Sequence, residues 1–271
     1  LVMEETICAE MITAKDGVAG AVVLCMKTGE VTAILAKSVI VASGGAGALY
    51  YPHSDCMPYV TGDSYSLSLK AGAELVDMEQ VQFLPFSITH PKSMEGVICG
   101  EHAMARPFGK LINNKGNVVL KNFHNMTRAE VSKIMIEEIR NGGATEHGGL
   151  LFDVSTNMKM PILRTIYKNK MNEAAAHFLE NIRKAYGKDA AELKAPWDVL
   201  PTAHYFMGGI KTDEWCRSRV KGLYACGQAQ GGVMGGNRLG STSLTEIFVF
   251  GKRAGVTAAK EASNRDFCNE D

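Results

Sequence analysis

The sequence has no CxxC pair, no internal repeat, no low-complexity tract, and no apolar run near the ~20 residues a membrane-spanning helix needs. It also lacks an excess of either charge: Lys+Arg and Asp+Glu both number 29 in 271 residues. That balance argues against nucleic acid or an anionic membrane surface as the main partner. The seven cysteines (Cys8, Cys25, Cys56, Cys99, Cys216, Cys226, Cys268) are odd in number and scattered. Such a set points to free thiols in a reducing, cytoplasmic compartment and argues against a zinc or iron–sulfur site. The first residue is Leu1 and the chain opens in mid-pattern, as a fragment or processed chain would.

The length allows one large domain or two modest ones with a sizeable core. Residues 6–42 read as strands, with Asp16-Gly17 and Thr28-Gly29 as turns, and the apolar run Val39-Ile40-Val41-Ala42 stops at Gly44-Gly45. An apolar strand ending in paired glycines fits the carboxyl end of a buried strand, where α/β folds place ligands. Asp63 reads first as the N-cap of the helix SYSLSLKAGA. Residues 81–100, with Pro85 and Pro91, read as irregular, and Lys110-Leu111-Ile112 as strand-like. Thr127-Arg128-Ala129-Glu130 is a capping box, which puts Arg128 in a first helical turn where the helix dipole disfavours a cation. Residues 161–187 form one long helical pattern, and 201–214 return to strand and turn. A polar, helical middle between glycine-marked strands suggests one domain interrupted by a second.

The chemistry-bearing stretch is Gly222–Gly255. A short Leu-Tyr-Ala-Cys strand leads into a loop holding Gly227, Gly231, Gly232, Gly235, Gly236 and Gly240, and a helix begins near Ser243. Strand, glycine loop and helix bring backbone N–H groups and a helix N-terminus against an anionic or electron-rich ligand. Arg238 is the cation inside that loop.

Taken together, VIVASGGAG, TGDSYSLSLKAGAELVDMEQVQF, PTAHYFMGGI, GLYACGQAQGGVMGGNRLGSTSL and FVFGKRAG resemble the flavoprotein subunit of the fumarate reductase and succinate dehydrogenase family. The resemblance runs nearly end to end and is weakest over residues 155–195. It implies an α/β, Rossmann-like FAD-binding domain interrupted by an α+β capping domain, with substrate between flavin and cap. Residues 1–82 and 201–271 would be the FAD-binding segments and 83–200 the cap. The family's N-terminal GxGxxG segment and C-terminal helical domain have no counterpart in this sequence. The implied activity is hydride transfer between flavin N5 and a C=C or CH–CH bond next to a carboxylate. Implied partners are a small carboxylate substrate, an iron–sulfur electron-transfer subunit that could bring the protein to a membrane, and the remainder of the flavoprotein; nucleic acid is not among them.

By the same resemblance, Arg128 would be the proton donor and Arg106 would hand protons toward it. His204, Arg238 and His102 would hold substrate. Asp63, Gly227, Gln228, Ser243 and Leu244 would contact FAD, with Ser43 and Gly44 as backbone contacts. Several positions depart from the family pattern, among them Gln228, where the family usually has Glu, and His102, at a threonine position. Leu84 stands where the family has a substrate-binding histidine, and Phe86 where it has a small polar residue. In the register set by Arg106, Ala103 falls at the relay glutamate, and Glu101 could serve only if the loop shifts. An apolar pocket end favours a substrate with one carboxylate over plain fumarate, since a buried second carboxylate would lack its partner. The other reading is a flavin-carrying electron-transfer subunit with no substrate chemistry of its own.

Overall fold

The computed structural model describes residues 1–267, so Cys268 lies outside the described residues. In chain order the first elements are β1 (Thr6–Ala14), β2 (Gly17–Cys25), β3 (Val31–Leu35), β4 (Val39–Val41), α1 (Asp63–Lys70) and β5 (Leu75–Val76). Next come β6 (Val81–Ile88), β7 (Lys110–Ile112), β8 (Val118–Lys121), α2 (Arg128–Glu138) and β9 (Leu150–Asp153). Four helices follow: α3 (Thr156–Lys159), α4 (Pro161–Ala174), α5 (Ala176–Tyr186) and α6 (Lys188–Ala191). The chain then runs through β10 (Trp197–Phe206), β11 (Gly209–Ile210) and β12 (Leu223–Ala225) to α7 (Thr242–Ala262). The chain divides into two compact units: one of Leu1–Leu49, Tyr59–Val81 and the chain from Tyr205 on, the other of Tyr50–Pro58 and Gln82–His204. No helix among the described residues is long and apolar enough to cross a membrane.

In the first unit, β1, β2 and β3 form an antiparallel sheet in that order. Gly17 opens β2 at φ +124°, and a Cβ there would meet the Lys221 carbonyl oxygen at 2.1 Å, so this turn admits only glycine. β4 pairs in parallel with β12, Val39 opposite Leu223 and Val41 opposite Ala225. The pairing carries past the strand end, with the Cys226 amide donating to the Val41 carbonyl at 3.1 Å. Two glycine turns nearly two hundred residues apart in sequence, Gly44-Gly45 and Gly227, therefore leave adjacent strands at the same end.

Asp63 is the first residue of α1, not its cap. The capping position is Gly62, left-handed at φ 84°, and Asp63 instead accepts a 2.8 Å hydrogen bond from the exposed Thr61 hydroxyl. Without a Cβ, glycine reaches this conformation at no steric cost, and it needs no side-chain acceptor.

The second unit is built on a five-stranded sheet in the order β6-β10-β9-β7-β8. Its core holds Phe86, Phe123, Phe152 and Trp197, all but inaccessible to solvent; Phe86 and Phe152 stack at 4.5 Å between centroids and Trp197 meets Phe152 edge-on at 5.0 Å. The expectation of irregular chain over 81–100 is corrected over its first eight residues by β6, which runs straight through Pro85. β6 is an edge strand, and an edge tolerates proline because the missing N–H costs no ladder bond. The long helical pattern over 161–187 is two helices parted at Ala175, a buried residue with φ −135°. No glycine or proline marks that break, so core packing sets it. The capping box of α2 forms as expected: Thr127 Oγ1 accepts from the Glu130 amide, and a Glu130 carboxylate oxygen accepts from the Thr127 amide at 2.7 Å.

Candidate functional site

In the first unit, Gln228 lies against Gly45 so closely that a Cβ on Gly45 would meet its amide carbon at 2.8 Å. The Gln228 side-chain nitrogen is buried with no hydrogen-bond partner among the described residues. A buried amide N–H left unsatisfied costs on the order of 1–3 kcal/mol, so a ligand acceptor is the expected complement. Gly44 is left-handed at φ 83°, its carbonyl accepts from Ser64 Oγ at 2.8 Å, and Ser43 beside it is exposed. The Gly227 amide donates to Glu246 Oε1 at 3.1 Å, so Gly227 offers a ligand close approach and not an N–H. Burial raises the Glu246 carboxyl above its usual range against that one hydrogen bond. α7 starts from Ser241, left-handed at φ 68°, with no side-chain cap. The Leu244 amide bonds to the Ser241 carbonyl at 3.1 Å, and the Leu244 side chain is exposed. Leu244, one of the residues expected to contact FAD, thus has its amide already used within the chain.

Arg238 is buried, at 8% exposure. Its Nη2 donates to Ser243 Oγ at 2.6 Å, and its guanidinium carbon lies 4.4 Å from the Tyr205 ring centroid. Stacking on an aromatic face holds a guanidinium flat without consuming its donors. Burial and the Glu246 charge push the Tyr205 phenol up to about 12, against the pull of Arg238, so the ring stays neutral at physiological pH.

In the second unit, Arg128 is the first residue of α2, and its side chain is only 16% exposed. It binds Glu101 through two donors, Nη2 to Oε1 at 2.5 Å and Nε to Oε2 at 3.2 Å, while Nη1 reaches Gln82 Oε1 at 3.4 Å. A bidentate carboxylate offsets the unfavourable end of the helix dipole and fixes the plane of the guanidinium. The expectation that Glu101 could serve only if the loop shifts is corrected by this contact. Glu101 caps the short turn His102–Ala105, and from there its side chain reaches Arg128 with no shift of the loop, while Ala103 is exposed. His102 Nδ1 stands 3.6 Å from Glu101 Oε2. Arg106 is exposed, and no hydrogen bond or ion pair of its side chain is found among the described residues; its carbonyl accepts from Asn157. Arg128, Glu101, His102 and Gln82 are therefore brought together, and Arg106 is not joined to them.

Burial works against ionisation of Glu101, but the His102 ring and the Arg128 guanidinium outweigh it and hold the carboxyl below its usual 4.5. A carboxylate with a depressed folded-state pKa contributes stability that is present at neutral pH and lost as pH falls through 4.5 and below. Wild type should out-melt Glu101→Gln at pH 7, and the gap in melting temperature should narrow as pH is lowered from about 5 to about 3. A gap independent of pH across that range would contradict the pairing.

His204, near the end of β10, donates or accepts at Nδ1 with Asp55 Oδ2 at 2.6 Å, and the Asp55 side chain is 3% exposed. Asp55 is a site residue that sequence reading missed; 149 positions separate it from His204 and no motif joins them. Leu84 and Phe86 are both buried, and Phe86 belongs to the aromatic core described above. The expectation that Phe86 makes a pocket wall apolar is therefore corrected: its ring is spent on packing against Phe152 and Phe123.

The sequence profile of the family described as "FAD binding domain" matches residues 2–244. A fumarate reductase (CoM/CoB) polypeptide of Methanothermobacter marburgensis is 40% identical over 266 residues, covering 95% of this chain and 46% of that protein. This chain belongs to the FAD-binding family of fumarate reductase and succinate dehydrogenase flavoproteins. The fumarate reductase flavoprotein subunit of Escherichia coli is 35% identical over 96% of this chain and 44% of its own length. L-aspartate oxidase of Clostridium perfringens is 32% identical over 90% of this chain and 52% of its own. Among solved structures, E. coli quinol fumarate reductase superposes with a TM-score of 0.79 at 31% identity, covering 98% of this chain and 46% of that one. The chain thus spans about half the length of the relatives it matches. The residues present fit the family's cofactor: an unsatisfied Gln228 amide, a glycine turn at the end of each of two paired strands, and an uncapped helix start.

Proposed function

We propose that this chain holds FAD and that its full-length protein exchanges a hydride with a C=C or CH–CH bond next to a carboxylate. The first unit would be the FAD-binding part and the second the cap. FAD, when bound, supplies the hydride acceptor or donor. The chain's own residues do the rest: Arg238 and His204 bind the carboxylate, and Arg128 exchanges the proton at the neighbouring carbon, with Glu101 taking its place as proton carrier beside it.

The observation that carries this reading is the Arg128–Glu101 pair. Guanidinium stays protonated in water, so a guanidinium that moves protons needs a fixed base in contact and little solvent. Arg128 has both. The pair also weighs against an electron-transfer subunit without substrate chemistry, a reading that leaned partly on Ala103. On substrate, Leu84 offers no donor where the family pattern has a histidine. That supports an enoate with one carboxylate and a more apolar remainder, other than plain fumarate. An iron–sulfur subunit is the proposed electron partner.

The test is anaerobic mixing of the full-length protein, its flavin reduced with dithionite, with fumarate, monomethyl fumarate or crotonate. Flavin reoxidation by a monocarboxylate, faster than by fumarate, is expected. Failure of every enoate to reoxidise the flavin would overturn the reading in favour of pure electron transfer.

A further inference from the structure

The segment before α1 is laid against the end of β10 by contacts that serve no part of the hydrophobic core. Ser54 bridges Ala203 in parallel fashion. The Ala203 amide donates to the His53 carbonyl at 2.9 Å, and the Asp55 amide returns to the Ala203 carbonyl at 3.2 Å. Gly96 backs the segment so closely that a Cβ there would meet the Ser54 carbonyl oxygen at 2.5 Å. The Cys56 thiol, pushed up to about 11 by burial, keeps its proton and donates to the His204 carbonyl at 3.2 Å. The result of this stitching is that one carboxylate, Asp55, meets one ring nitrogen, His204 Nδ1, at 2.6 Å.

A carboxylate as buried as Asp55 is costly unless it is paired and hydrogen-bonded. A carboxylate oxygen accepts, and the short contact with Nδ1 therefore points to Nδ1 as the donor. For the ring then to hold a carboxylate of a ligand, it must donate from Nε2 as well, which makes it an imidazolium. We propose that Asp55 is the positioning residue of the site. It fixes the plane of the His204 ring and supplies the charge that lets a doubly protonated imidazole stand between two carboxylates, its own and the ligand's. The inference rests on the reading of His204 given under the proposed function. It adds the residue that orients and charges the ring for that carboxylate.

The test uses the full-length, FAD-loaded protein with monomethyl fumarate as probe. Asp55→Asn keeps the size of the side chain and removes its charge. It should raise KM for the probe by about 10- to 100-fold, the range for losing a hydrogen bond to a charged group, with a smaller effect on kcat. Asp55→Asn and His204→Gln should be non-additive in KM, because each removes the same arrangement. In wild type, nitrogen NMR of histidine-labelled protein should show Nδ1 of His204 protonated, and both ring nitrogens protonated once the probe is bound to the oxidised enzyme. An unchanged KM in Asp55→Asn, additive effects in the double variant, or an unprotonated Nδ1 in wild type would overturn the inference. If His204→Gln itself leaves KM unchanged, the role of His204 in the proposed function fails, and this inference falls with it. The wild-type NMR measurement decides the matter even if Asp55→Asn does not fold.

Discussion

Arg128→Ala is expected to lower turnover of the accepted enoate by about 10³-fold or more in the full-length protein, while the flavin absorbance spectrum stays that of wild type. General acid–base groups contribute roughly 10²–10⁴-fold, and a group that also stabilises developing charge sits at the upper end. The size follows from how little else could replace it. Arg128 donates twice to Glu101 and once to Gln82. Removing the guanidinium leaves the half-buried Glu101 carboxylate without its main partner and leaves the site without a donor on α2. Arg128→Lys should recover little, because an ammonium cannot make the planar, two-point contact. Stopped-flow reoxidation of reduced flavin checks the rate, and retained turnover in Arg128→Ala would end the assignment of a proton-donor role. Arg106→Ala, an exposed side chain with no bonded partner among the described residues, should cost far less.

Phe86→Ala should cost about 3–5 kcal/mol of stability, the range for truncating a buried aromatic. Phe86 is 0% exposed, stacks on Phe152 at 4.5 Å and lies 6.0 Å from Phe123. Truncation would open a cavity in the middle of the second unit, where the rigid sheet on one side and the α2 residues Val131 and Met135 in the same cluster leave little room to collapse. Urea denaturation followed by tryptophan emission is a suitable probe, because Trp197 packs edge-on to Phe152 in the same cluster. The result also separates two roles for this position. A pocket residue would change substrate preference at little cost in stability, whereas a core residue does the reverse. A denaturation midpoint equal to that of wild type would contradict the core placement.

The turns and caps of this protein were legible because each depends on a few neighbouring residues. The Thr127–Glu130 box formed as read. The strand before Gly44-Gly45 and the helix after the glycine loop also formed, as β4 and α7. Proline misled over 81–100, since Pro85 reads as a strand breaker until the edge position of β6 is known. Asp63 misled in the other direction, because an acceptor one residue inside the helix looks like a cap until Gly62 is seen in the left-handed region.

The ordered motifs were enough by themselves to carry the resemblance to the family and its FAD-binding class, and to name the residues most worth mutating. These are properties of local spacing, and local spacing is what a linear chain displays. Only the tertiary structure decided which partners those residues have. Glu101 rather than residue 103 meets Arg128, Asp55 meets His204 across 149 positions, and Phe86 turns into the core. Each of these depends on a contact between segments distant in sequence, made when strands pair and a buried charge must find its counterpart, and no spacing along the chain encodes that.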